Sequence, residues 1–179
     1  MIEEHASIQR RAARIKLLLL DCDGVLTDGN LTLLENGDEQ KSFNVRDGHG
    51  LVLLHRAGLE SGIISGRRAK VVERRALELG IKYVRQLSLD KIKDFDALLA
   101  EVNIAENEVA FIGDDVTDIP LMARVGLAVA VADAVEETRD AAHYVTELPG
   151  GRGAVRETIE IILKAQGRWH DLMKRYISP

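Results

Sequence analysis

The chain is short of several things, and each shortage closes a functional class. Cys22 is its only cysteine in 179 residues, so no internal disulfide can form and a reducing compartment fits best. No apolar run approaches the ~20 residues that a membrane-spanning helix needs. The opening stretch MIEEHASIQRRAARIK lacks the apolar centre of a signal peptide and reads instead as a short helix. Positive charge is in deficit, with 24 Lys and Arg against 29 Asp and Glu and a net charge of -5. That balance argues against a nucleic-acid or anionic-membrane partner. No repeat, low-complexity segment or linker divides the chain. These absences leave a cytoplasmic globular protein, expected to form one domain over 1–179. A chain of this length buries ~70% of its unfolded surface.

What is present alternates. Strand-like apolar runs at 15–20, 59–65, 81–86, 108–113, 127–131 and 143–146 are separated by amphipathic stretches with 3-to-4 spacing. Gly58, Gly80 and Gly126 stand where residues that close helices are expected. This pattern predicts an α/β fold, a doubly wound and mostly parallel Rossmann-like sheet covered on both faces. After Asp28 the rhythm breaks. GNLTLLENGDEQKSFNV reads as two short strands around Asn36-Gly37, a β-hairpin flap over about 29–45 that rises from the end of the first strand.

Ligands of such sheets gather at the carboxyl ends of strands, so the residues there can be read for their chemistry. The first strand, IKLLLL, ends on Asp21-Cys22-Asp23-Gly24. Alternation puts Asp21 and Asp23 on one face and Cys22 on the other. Two carboxylates so close repel by ~4 kcal/mol at 4 Å in a semi-buried site, unless a proton or cation intervenes. Alone, this stretch reads as a solvated turn with a helix cap. The other strand ends reverse that reading. The second delivers Ser65, Gly66 and Arg67, the third leads to Lys91, and the fourth brings Asp114, Asp115 and Asp118 in GDDVTD. Hard oxygen ligands favour Mg²⁺ over zinc. A hydroxyl, an ammonium and backbone N–H groups suit the oxygens of a phosphate. Together they point to phosphoryl transfer.

The ordered set DCDGVLT (21–27), Ser65, Lys91 and GDDVTD (113–118) resembles the four motifs of the haloacid dehalogenase-like phosphatases. Within that superfamily FNVRDGHG, ISGRRAKVVERR, GDDVTDIPLM, VGLAVAVADA and GGRGAVRE resemble an uncapped branch. That branch acts on 3-deoxy-D-manno-octulosonate 8-phosphate, a precursor of lipopolysaccharide. The resemblance implies that Asp21 is the nucleophile and becomes an aspartyl phosphate, while Asp23 serves as general acid and then base. It implies Mg²⁺ held by Asp21, the backbone carbonyl of Asp23 and Asp114, with Asp118 or Asp115 in support. Ser65, Gly66 and Lys91 would hold the phosphoryl oxygens.

Only 41 residues lie between Asp23 and Ser65 and 25 between Ser65 and Lys91, so no cap domain fits within the chain. The resemblance then implies a homotetramer whose flaps associate and whose neighbours roof each site. Arg46 and Asp47, at the expected flap base, and Arg67, beside the phosphate, are candidates for reading a small keto-sugar acid. Arg152 in the glycine-rich GGRG is a candidate inter-subunit contact, with a plain loop before the helix 154–165 as the alternative. The tail, about 168–179, has no assigned role. Asp115 is equally well read as a helix cap, and Cys22 as core packing. His49, His55 and His143 read as structural or surface residues. Two rival functions remain: phosphatase of a nine-carbon keto-sugar acid phosphate, and a non-catalytic relative serving as an assembly domain. A receiver-type signalling domain is disfavoured, because Ser65 stands where that fold needs its phosphorylated aspartate.

Overall fold

Four consecutive leucines give a strand no polar face, so β1 (Leu17–Leu20) must be covered on both sides. In the computed structural model, which describes residues 2–177, all four are fully buried at the centre of a six-stranded sheet. The remaining strands of that sheet are β4 (Glu60–Ser65), β5 (Tyr83–Gln86), β6 (Val109–Gly113), β7 (Leu127–Ala130) and β8 (Tyr144–Val145). The hairpin strands β2 (Thr32–Leu33) and β3 (Glu39–Gln40) form a separate two-stranded ribbon. The order in the large sheet is β5-β4-β1-β6-β7-β8, and every pairing is parallel. The expected doubly wound sheet and flap are therefore present, and no cap domain interrupts them among the described residues.

Strand order decides where a site can form. The chain winds outward from β1 to β4 and β5, then returns to place β6 on the other side of β1. Connections on the two sides of that reversal leave on opposite faces and open a crevice between the carboxyl ends of β1 and β6. Asp21 and Asp114 come directly after those two ends.

Helices α1 (Ile2–Ala12), α2 (Val45–Arg56), α3 (Lys70–Leu79) and α7 (Ala154–Ala165) cover one face. The other face is covered by α4 (Lys91–Val102) and α5 (Ile119–Met122). A short α6 (Glu136–Ala141) leads into β8, and α8 (Trp169–Ile177) closes the described chain. The tail thus folds back on α7, with Trp169, Leu172 and Met173 packed against the core. The last two residues of the expected tail lie outside the described residues.

Two expectations need adjustment. Gly58 and Gly80 adopt left-handed φ of 80° and 74° after α2 and α3, as helix-closing residues do. Gly126 does not; it is glycine because a side chain there would meet the Asn107 carbonyl. And Arg46 and Asp47, expected at the flap base, belong to the helix that follows the flap. Asn44 caps α2, accepting from the Arg46 N–H at 2.8 Å, so Arg46 and Asp47 lie in its first turn.

Candidate active site

The turn after β1 is built for backbone exposure. Gly24 has φ +89°, and a Cβ there would lie 2.1 Å from Asp114 Oδ2. Only glycine lets this turn approach the acid at the end of β6. Thr27 pins this turn: its hydroxyl donates to the Cys22 carbonyl at 3.4 Å and accepts from the Gly24 and Gly29 N–H groups. The turn is backed by Gly150 and Gly151. A Cβ on Gly150 would sit 1.6 Å from the Gly24 carbonyl oxygen, and the Gly151 N–H donates to the Val25 carbonyl at 2.9 Å. The close approach that these glycines permit is therefore to the chain's own catalytic turn, while Arg152 stands exposed beside it.

Asp21, Asp114 and Asp118 each present a carboxylate oxygen, and these atoms lie within 4.8 Å of one another. Lys91, the first residue of α4, reaches into the group. Its Nζ donates to Asp21 Oδ1 at 2.7 Å and to Asp118 Oδ1 at 2.5 Å. Asp90 caps the same helix through the Ile92 and Lys93 N–H groups, fixing where Lys91 emerges. Asp118 is fully buried, and its Oδ2 accepts the Asp114 N–H at 2.9 Å. Both its oxygens are thus engaged, whereas Asp21 and Asp114 each keep an oxygen outside these hydrogen bonds.

Electrostatics register the crowding. Burial pushes Asp21 up to about 6; Lys91 opposes that rise and Asp118 adds to it. Burial also pushes Asp114 up to about 8, with repulsion from Asp21, Asp118 and Asp115 and some relief from Lys91. Burial opposes charge on Lys91 too, but Asp21 and Asp118 hold its ammonium above the ordinary range. Three carboxylates around one ammonium form an anionic, all-oxygen pocket with no imidazole or thiolate donor. That donor set fits a hard divalent cation. Cys22 is not a competitor: it is fully buried, and burial with Asp23 and Asp21 drives its thiol far upward, so it stays neutral.

The other expected residues differ in how near the acids they come. Ser65 is buried at the end of β4, beside β1, and its hydroxyl accepts the Arg67 N–H at 3.4 Å. Gly66 is next in the chain, and the Ser88 N–H donates to the Ser65 carbonyl at 3.0 Å, drawing the loop before Lys91 onto the end of β4. Arg67 Nε stands 3.8 Å from Asp23 Oδ2. Asp115 is exposed and accepts the Val116 N–H at 2.7 Å, a capping contact outside the three-acid group. Asp47 is not brought to the acids. It is buried, and its two oxygens accept the N–H groups of Arg156 at 2.7 Å and Gly153 at 3.1 Å, bracing the start of α7. Arg46 is exposed and shares with Arg152 an open groove of about 660 Å³ along α7, also lined by Tyr144 and Arg156.

The pattern missed two residues. Lys41 donates to Asp23 Oδ1, and Glu39 binds Arg67. No spacing signals these contacts, because they depend on how the hairpin folds back over the site.

Comparison with known proteins places this geometry. A family model described as haloacid dehalogenase-like hydrolase matches residues 80–156. The 3-deoxy-D-manno-octulosonate 8-phosphate phosphatase of Yersinia pestis is 49% identical over 159 residues, covering 89% of this chain and 85% of that protein. The structure of a probable YrbI family phosphatase from Pseudomonas syringae superposes with TM-score 0.95 at 44% identity, over 97% of this chain and 99% of that one. The 3-deoxy-D-manno-octulosonate 8-phosphate phosphatase from Moraxella catarrhalis, solved with magnesium, phosphate and a KDO molecule, gives TM-score 0.92 at 38% identity. It covers 94% of this chain and 97% of that one.

Proposed function

The chain belongs to the haloacid dehalogenase-like phosphatases, and from that premise we propose that it hydrolyses 3-deoxy-D-manno-octulosonate 8-phosphate to the free sugar acid and orthophosphate. This is a step toward lipopolysaccharide. The observation that carries the reading is Lys91 set between Asp21 and Asp118 at the β1/β6 crevice, in a chain 49% identical to a phosphatase of that name. Asp21 Oδ1 is held by Lys91, which leaves Oδ2 to attack phosphorus. As that bond forms, the bond from phosphorus to the sugar oxygen breaks, and Asp23 gives the departing alkoxide a proton. Asp23 then takes a proton from water as its oxygen bonds phosphorus, releasing Asp21 and orthophosphate. Lys91, the Ser65 hydroxyl and the Gly66 N–H steady the phosphoryl oxygens. Asp21, Asp114 and the Asp23 carbonyl would hold Mg²⁺, which would supply charge that offsets the substrate's and relieves the acid cluster. Asp118 orients Lys91 and the Asp114 backbone, and Asp115 caps the turn.

Specificity falls to groups around the entrance. Arg67, beside Asp23 and paired with Glu39, is the candidate nearest the acids for reading the sugar acid, and Arg46 and Arg152 offer further cations on the α7 groove. Among the described residues only the small flap, and no cap domain, borders the site. Leu31, Leu33 and Leu34 on the flap are 46%, 71% and 43% exposed. Apolar residues on so small a ribbon support a homotetramer in which flaps meet and neighbours cover each site. No described helix is long and apolar enough to cross a membrane, which is in keeping with a cytoplasmic enzyme.

Phosphate release with Mg²⁺ and with EDTA, from the eight-carbon and nine-carbon keto-sugar acid phosphates and from hexose phosphates, tests this reading. The eight-carbon acid should lead by tenfold or more in kcat/KM, equal to about 1.4 kcal/mol of discrimination. Preference for a nine-carbon acid would retain the mechanism and change the pathway. Metal-independent turnover would overturn the mechanism.

A further inference from the structure

Two charged residues of the flap, Glu39 and Lys41, meet charged groups at the ends of the first two strands of the large sheet. Lys41 comes just after β3, and although it borders an open site its side chain is only 1% exposed. Its Nζ donates to Asp23 Oδ1 and lies 3.4 Å from Glu39 Oε2. Glu39 binds the Arg67 guanidinium through Oε1, and Arg67 Nε stands 3.8 Å from Asp23 Oδ2. Charge alternates around a closed ring of Asp23, Lys41, Glu39 and Arg67. Two members ride on the flap, one on the catalytic turn and one on the turn after β4.

Phe43 at the base of the flap packs against the core, but the ribbon itself has little else to hold it down. It pairs only Thr32 with Gln40 and Leu33 with Glu39, and its leucines face outward. Two-stranded ribbons of this size are marginal on their own. A lysine head withdrawn from water is costly unless it is paired. Lys41 can therefore stay covered only while Asp23 and Glu39 meet it, which ties the position of the flap to the orientation of Asp23.

We propose that Lys41 is a positioning residue for Asp23, latching the flap over the site and selecting which carboxylate oxygen handles protons. The inference rests on Asp23 acting as acid and base in the reaction above. Lys41 occupies Oδ1. Oδ2, approached only by Arg67 at 3.8 Å, is left to face the ester oxygen. When the phosphorus–oxygen bond breaks, the alkoxide takes its proton from Oδ2. When water attacks phosphorus, its proton goes to that same oxygen. Without Lys41 only Arg67, at 3.8 Å, restrains the carboxylate, and its proton transfer loses alignment.

The test compares wild type, Lys41→Met, Lys41→Arg and Asp23→Asn on aryl and alkyl phosphates of rising leaving-group basicity, by single-turnover release of the leaving group. p-Nitrophenolate departs without a proton, whereas an alkoxide does not. Positioned proton transfer contributes roughly 10²–10⁴-fold, so Lys41→Met should slow alkyl phosphates by about 30-fold or more and p-nitrophenyl phosphate by less than about threefold. Lys41→Arg should recover a large part of the loss. In metal-free protein, hydrogen exchange over 30–42 should quicken in Lys41→Met. An equal loss across the series, or no loss on alkyl phosphates, overturns the proposal. The series contains no keto-sugar acid, so an error in the sugar leaves the readout intact. If Asp23→Asn itself shows no leaving-group dependence, the acid–base role fails; if it does and Lys41→Met does not, the latch alone fails.

Discussion

Asp114→Asn should stabilise the metal-free protein and abolish its response to Mg²⁺. Burial lifts Asp114 from 3.8 to about 8, with Asp21, Asp118 and Asp115 adding repulsion. The unfolded chain gives up this proton near pH 4, whereas the folded chain keeps it until about pH 8. Folding at neutral pH therefore takes up a proton, and metal-free stability falls as pH rises from about 4 to about 8. Asp21, pushed up to about 6, contributes with the same sign. At pH 7 the gap from 3.8 is a little over three units, or about 4 kcal/mol at 1.36 kcal/mol per unit. Asp114 keeps partial contact with solvent, so the gain expected on removing its charge is about 1–3 kcal/mol. In a chain of this length that is about 2–4 °C of Tm per kcal/mol. Thermal unfolding in EDTA at pH 5, 7 and 8 provides the assay. Wild-type Tm should fall across the series, while the variant's should fall less and exceed it at pH 8. Added Mg²⁺ should raise wild-type Tm by mass action and leave the variant unmoved. A variant less stable than wild type in EDTA at pH 8, or wild-type stability that rises with pH, would refute the reasoning.

Lys91→Met leaves Asp21 and Asp118 buried without their ammonium, so urea unfolding in EDTA at pH 7 should show a loss of about 3–5 kcal/mol. The loss should shrink below pH 5, where Asp21 is protonated, and an unchanged midpoint at pH 7 would contradict the placement of Lys91. Gly24→Ala drives a Cβ to 2.1 Å from Asp114 Oδ2 at φ +89°. It should weaken Mg²⁺ binding, read as thermal shift, by about tenfold or more while the protein still folds; undiminished binding would count against the close approach. Asp47→Ala strips acceptors from the Gly153 and Arg156 N–H groups and should cost about 2–4 kcal/mol with KM unchanged. A raised KM at full stability would return Asp47 to the substrate site.

Much of this was legible because strands announce themselves. LLLL, IIS and VAFIG leave no polar face, so the residues at their far ends, Asp21, Ser65-Gly66 and Asp114, must emerge at the carboxyl edge of the sheet. Lys91 was legible as a cation at a helix start, where only nearby anions make it tolerable. Asp118 was harder to rank. The resemblance left Asp118 and Asp115 as alternative supporting acids, and the complete burial of Asp118 under both Lys91 and the Asp114 N–H comes only from the tightness of the turn. Asp47 reads as a substrate-binding candidate at the flap base until two glycines, Gly48 and Gly50, turn out to continue a helix against α7. GGRG signals close backbone approach without saying to what, and the partner is the chain's own Gly24 carbonyl. Lys41 and Glu39 gave no sign at all, since contacts across a folded-back hairpin have no period in sequence.

The most direct test of the account is the residue that carries the phosphoryl group. Enzyme mixed with 3-deoxy-D-manno-octulosonate 8-phosphate and Mg²⁺, then quenched in acid within one turnover, should yield one peptide heavier by a single phosphoryl group. The modification should map to Asp21, and Asp21→Asn should show neither the adduct nor phosphate release. An adduct on Asp23 or Ser65, or steady turnover by Asp21→Asn, would contradict the assignment of the nucleophile and the mechanism built on it.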